Sequence, residues 1–114
     1  MTDRKVIRQL AATRDIVEYA VYRAIRSPQA SERFLDSVEV TISQLAKRPG
    51  IGASVECVRP ELAGLRCSPI LRFKNHLIFY LSREDGIEVV RIRHGATDIE
   101  SLFESDEDEG PDPP

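Results

Sequence analysis

Basic residues crowd the second half of the chain: Arg66, Arg72, Lys74, Arg83, Arg91 and Arg93. Arg91 and Arg93 are two positions apart, so on a strand both project from one face. If that face is left uncovered they form a cationic ridge, suited to an acidic partner or to nucleic-acid phosphates. The plainer alternative is a solvated sheet surface whose charges discourage edge pairing. His94 follows directly. Imidazole titrates near neutral pH and can move a proton, and Arg91 and Arg93 beside it would steady a phosphorane-like transition state. Tyr80 falls in the run expected to form the adjacent strand. A lone histidine at a strand end also has a simpler role, as a structural hydrogen-bonding group.

Other chemistries find less support. Cys57, Cys67, His76 and His94 could supply four zinc ligands, but no pair has the C-x-x-C or H-x-x-x-H spacing of a metal site. No glycine-rich phosphate loop, nucleophile elbow or kinase motif is present. The residues point to no metal and no cofactor.

These side chains need elements to hold them. Lys5–Leu10 is short and mixed, compatible with a first strand. From Ala12 to Arg26 the apolar residues follow the helical period. Ile16, Ala20 and Ala24 form one row and Val17, Val21 and Ile25 the next, together predicting a broad apolar face. Ser27 is a good N-cap and Pro28 fits the first helical position, so a second helix restarts at once and runs to about Arg48. Its core stripe is Phe34, Val38, Ile42 and Leu45. Lys47 and Arg48 suit its negative end, and Pro49-Gly50 stops it. Two helices so joined form an αα-hairpin. Residues 49–64 read as a connecting loop in which Cys57 and Val58 touch the core.

Strand character begins after Gly64. Arg66–Phe73 is one run, with Pro69 marking a bulge or an edge. His76–Ser82 is a second, and Ile87–His94 a third. Asp85-Gly86 between the last two is a hairpin signal. Strict alternation puts Val90, Ile92 and His94 on one face and Val89, Arg91 and Arg93 on the other. Asp98 would cap a short C-terminal helical turn through Phe103. The expected fold is α+β, in the order β-α-α-β-β-β, with an antiparallel sheet packed on the helix hairpin. Val17, Val21, Phe34, Val38 and Leu45 exceed what one helix–sheet seam hides, so an exposed remainder would mark an interaction surface.

The chain has 114 residues, 41% of them hydrophobic, which suits a single domain. No apolar run approaches the ~20 residues of a membrane span, and Met1–Lys5 does not begin a secretory signal. Two cysteines do not make a disulfide framework, which favours a reducing, cytoplasmic setting. The net charge of −3 conceals an asymmetry. Six of the nineteen acids lie in 104–114 with no base among them, leaving sixteen bases against thirteen acids in 1–103. Residues 1–104 are thus read as the domain, and 105–114 as an acidic, disordered tail. That tail either aids solubility or screens the basic body.

Glu61-Leu62-Ala63-Gly64-Leu65-Arg66, Leu77-Ile78-Phe79-Tyr80, the run Asp85–Gly95 and Asp98-Ile99 together resemble the RelE/ParE superfamily of type II toxins. Asp15-Ile16, Ala30, Phe34 and Leu45–Gly52 agree with it, so the likeness spans about 5–103. The resemblance implies a toxin neutralised by a cognate antitoxin, ParD-like or another small protein, whose C-terminal segment wraps the toxin in a hetero-oligomer. ParE-like members poison DNA gyrase and are not regarded as enzymes; RelE-like members cleave mRNA on the ribosome. This sequence is closer to ParE. Only Arg59 lies between Arg48 and Arg66, where nucleases carry a lysine cluster, and no Tyr follows His94. The residues implied for target or antitoxin contact are Arg66, Arg91, Arg93 and His94. On the nuclease alternative, His94 or Tyr80 would assist proton transfer at the 2′-OH while Arg66, Arg91 and Arg93 steady the phosphate. Thr97, where an Arg commonly precedes the matching Asp, and the acidic tail motivate a third reading, a non-toxic binding module on the toxin fold.

Overall fold

A computed structural model describes residues 5–95. The chain forms β1 (Lys5–Arg8), α1 (Leu10–Arg26), α2 (Pro28–Lys47), β2 (Ala53–Ser54), β3 (Arg66–Ile70), β4 (Phe73–Arg83) and β5 (Gly86–His94), with single 3-10 turns at Pro49–Ile51 and Pro60–Leu62. The Ser27 hydroxyl accepts from the Ala30 N–H at 3.3 Å, and Pro28 opens α2 as its type and place require. The helical turn expected after Asp98, Thr97 and the acidic tail all lie outside the described residues.

The sheet order is β1-β5-β4-β3-β2. From β3 to β5 it is the expected antiparallel meander, and β2, which lies in the segment read as a loop, pairs antiparallel with β3. The fold is α+β, but the sheet is mixed rather than wholly antiparallel, because β1 pairs with β5 in parallel, Lys5 opposite Gly86 and Arg8 opposite Val89. The physical reason is the connection. The helix hairpin carries the chain over one face, and the meander then returns the last strand beside the first with the same direction. Gly86 permits this approach: a Cβ there would overlap the Lys5 backbone.

Two apolar clusters grip the sheet. On one face Ala12, Ile16 and Tyr19 of α1 and Phe34, Val38 and Leu45 of α2 pack on Ile78, Tyr80, Val89 and Ile92. On the other, Phe79, Leu81 and Val90 lie under Leu62 and Leu65, with Val55 and Cys57 against them. The 49–64 segment is therefore more than a connector. It adds the edge strand β2 and covers part of the second face, with Cys57 in contact and Val58 exposed. Its weak periodicity hid this, because it covers the sheet with single anchors.

Bulges reset the faces. The register slips between Pro69 and Ile70, where proline marked it. A second slip sets Phe79 opposite Arg91 but Tyr80 opposite Val89, leaving Val90 as the extra residue of β5. Strict alternation therefore fails: Val89 and Ile92 share the helix-side core, while Val90 joins the opposite cluster.

Candidate functional site

The end of β5 is where the fold concentrates charge. β1 pairs only as far as Val89, so the outer edge of β5 beyond that point needs other partners. Helix α1 supplies them. The Asp15 carboxylate accepts the Ile92 N–H at 2.9 Å, and the Tyr19 hydroxyl accepts the His94 N–H at 3.2 Å. The same carboxylate receives Arg91 in a two-point grip, Nε to Oδ2 at 2.9 Å and Nη2 to Oδ1 at 3.1 Å, and lies 3.5 Å from Arg93 Nη1. Asp15 is 4% and Arg93 6% exposed. The two arginines are thus not an open cationic ridge on an uncovered face; both converge on one buried acid. Burial raises the Tyr19 phenol above its ordinary value, a rise opposed first by Arg93.

Arg66 and Tyr80 form a second group, opposite one another on β3 and β4. Tyr80 is fully buried. Its hydroxyl donates to Pro49 O at 2.7 Å and accepts the Gly52 N–H at 2.9 Å. The Arg66 guanidinium donates to Gly52 O at 2.6 Å and Gly50 O at 3.3 Å. Together they pin the Pro49–Gly52 turn to the sheet. Burial raises the Tyr80 hydroxyl above its usual value.

His94 stands apart from that pair. It faces His76 with ring centroids 5.4 Å apart and nearly perpendicular planes. His76 also meets Tyr19 edge-on at 4.7 Å. Desolvation, then Arg23 and His94, pushes His76 down to about 4. The sequence-predicted residues therefore divide into a turn clamp (Arg66, Tyr80), an acid-centred knot (Arg91, Arg93) and a histidine pair (His94 with His76). Among the described residues no group of His, Cys, Asp and Glu could hold a metal ion.

Among the described residues a different surface is left uncovered. On α1, Val17 and Val21 are 53% and 56% exposed and Ile25 79%. They make one row at the helical period. Phe34, Val38 and Leu45, by contrast, are fully buried.

The family model described as "ParE toxin of type II toxin-antitoxin system, parDE" matches residues 6–99. The chain belongs to the ParE toxin family. A solved structure titled "Chromosomal ParDE TA system from P. aeruginosa" shares the fold, with TM-score 0.64 at 14% identity over 81% of this chain and 96% of that one. No curated protein matches the sequence. Membership in a toxin–antitoxin family implies an antitoxin partner. No described helix of this ParE-family protein is long and apolar enough to cross a membrane.

Asp15 and Tyr19 organise the β5 edge, yet neither stands out as chemistry in the sequence of this ParE relative. The signal is positional: Asp15 falls on the core-facing stripe of α1 with Ala12, Ile16 and Tyr19. An acid on an apolar stripe announces a buried cation partner.

Proposed function

We propose that this ParE-family protein inhibits DNA gyrase by binding it, without cleaving a substrate, and that a ParD-like antitoxin neutralises it. One observation carries the choice over ribosome-dependent mRNA cleavage. Four of the five groups a nuclease would turn toward RNA are engaged within the fold, Tyr80 on two backbone groups, Arg66 on the Pro49–Gly52 turn, and Arg91 and Arg93 on Asp15, while the fifth, His94, is part-exposed. A general acid must reach the proton it transfers, and a fully buried phenol already bonded to backbone does not. The exposed Val17–Val21–Ile25 row supports the partner half of the reading, since apolar surface of this kind marks protein interfaces. Arg66, Arg91 and His94, all part-exposed, remain the basic groups proposed for target contact.

Induced expression in a bacterial host separates the outcomes. Gyrase inhibition produces double-strand breaks and the DNA-damage response, and the purified protein blocks gyrase supercoiling. Cuts in translated mRNA at codon positions with intact chromosomes would overturn the proposal, as would undisturbed growth. Co-purification with the product of the adjacent gene tests the antitoxin.

A further inference from the structure

A cleft of about 390 Å³ opens where α1 passes the β3–β4 turn and the end of β5. Arg23, Arg72, Phe73, Lys74, His76 and His94 line it, together with Tyr22 and Asn75, and among the described residues no carboxylate does. Three features set it apart from an ordinary basic surface. First, Arg23 lies over the Phe34 ring at 4.5 Å and the Phe73 ring at 5.1 Å, and among the described residues no acid pairs with it. Aromatic faces hold a guanidinium in place but do not neutralise it. Burial accordingly lowers Arg23 from its usual value. Second, His76 is more than nine-tenths buried and its Nε2 has no hydrogen-bond partner. A buried polar atom left unpaired calls for an explanation. Third, Arg72 and Lys74 add charge at the exposed rim.

We propose that this cleft is a binding site for the carboxylate of an acidic peptide side chain, held between Arg23 and His76. Such a group supplies the missing counterion and, once the side chains that close off His76 Nε2 in the empty protein give way, the missing hydrogen-bond partner as well. A peptide is favoured over nucleic acid by what adjoins the cleft. Tyr22 and Arg23 sit between Val21 and Ile25 in sequence, and at the helical period Tyr22 separates the exposed row from the core-facing Arg23. A segment laid along the row with apolar residues therefore passes the cleft and can drop one acid into it. The proposal rests on the reading that a protein partner covers α1. The chain's own acids at 104–112 offer the same chemistry from a second source.

The sign of the pH dependence follows from the groups facing His76: Tyr19 and Arg23 from α1, Phe34 from α2, and His94 from β5. With only cations among these charges, the empty site keeps His76 neutral. A bound carboxylate favours the imidazolium, so binding takes up a proton only below about pH 6 and tightens by about twofold or less as pH falls to 5.

The test follows the histidine side-chain resonances of the full-length protein with acetyl-capped, amidated triglutamate as probe. Saturating probe is expected to raise the His76 midpoint by about one pH unit, a tenfold preference for the protonated form. Arg23→Gln should weaken the probe about tenfold, and Lys74→Gln, at the exposed rim where folding is not at stake, about two- to threefold. Replacing the six acids of 104–112 by amides assigns the source: tighter probe binding means the chain's own acids compete for the site, and unchanged binding leaves it to a partner. A His76 resonance unmoved by millimolar triglutamate overturns the proposal. So does an equal response to triglutamine, or a stronger one to hexathymidylate. None of these outcomes depends on whether the antitoxin complex forms, which co-purification reads separately.

Discussion

Asp15 ties helix α1 to strand β5 at several points at once. It neutralises Arg91, approaches Arg93 and occupies a sheet-edge N–H, all within a buried environment. Asp15→Asn removes the shared carboxylate and leaves the buried Arg93 and the part-exposed Arg91 facing an amide. Breaking a buried pair from one side costs about 3–5 kcal/mol, so chemical denaturation should show a loss of that size, or no folded protein. Tyr80→Phe deletes the clamp on Pro49 and Gly52 and should cost about 1–3 kcal/mol. If Tyr80 serves structure alone, any loss of toxicity in Tyr80→Phe should follow the loss of folded protein and disappear at lower temperature. His76 predicts a pH effect. Its folded value near 4 lies below the ordinary 6.5, so between those limits the unfolded chain binds more protons and stability falls as pH is lowered. Glu39 and Glu88, lowered chiefly by hydrogen bonds from Arg8 and from Gln9 with Arg83, act in the same direction at lower pH. The difference between the wild type and His76→Leu isolates the histidine: the variant should lose less stability from pH 6.5 to 4.5. These roles were only half legible from residue types. Arg91 and Arg93 were visible as a pair, but the acid between them lies 76 positions away and is linked to them only by the way α1 runs along β5.

At the scale of elements, local chemistry showed clearly where it is local. The Ser27-Pro28 restart, the Pro69 bulge and the tight turn before Gly86 each follow from one or two residues, and each is present. What stayed hidden depends on long-range pairing. Nothing in Lys5–Arg8 reveals that its partner strand is the last one and parallel to it, and nothing in Val89-Val90 reveals the bulge that turns them to opposite faces. The two apolar rows of α1 read as one broad helical face with an exposed remainder, and the structure divides them: Ile16 and Ala20 are buried while Val17, Val21 and Ile25 are exposed. Gly86→Ala tests the β1–β5 seam. Its Cβ has no space against the Lys5 backbone, so β1 should be displaced. Amide exchange at Lys5–Arg8 should rise by at least about tenfold while the β3–β4 amides stay protected.

For the whole molecule the uncovered valines matter more than the buried ones. Val17→Ser with Val21→Ser alters two half-exposed positions outside both apolar clusters of the described residues, so the melting midpoint should move little. The same pair should weaken antitoxin binding by about 1–3 kcal/mol in calorimetry, provided the row lies under the partner. Equal affinity for wild type and double variant would place the interface elsewhere. Conversely, saturating partner should raise the melting midpoint of the wild type, because a ligand that binds only the folded form stabilises it by mass action.

The parallel seam between the first and last strands also has a consequence in time. A chain is made from its N-terminus, and residues 5–8 have no sheet to join until residues 86–89 exist. Asp15, made early, likewise waits for Arg91 and Arg93 before its charge is answered. A polypeptide halted by a premature stop at position 80 would contain both helices, most of the apolar residues and two strands of the meander, yet neither the partner of β1 nor the cations of the knot. Such fragments should be unfolded and quickly degraded, so a ParE-family chain of this design becomes dangerous only when its synthesis is nearly finished.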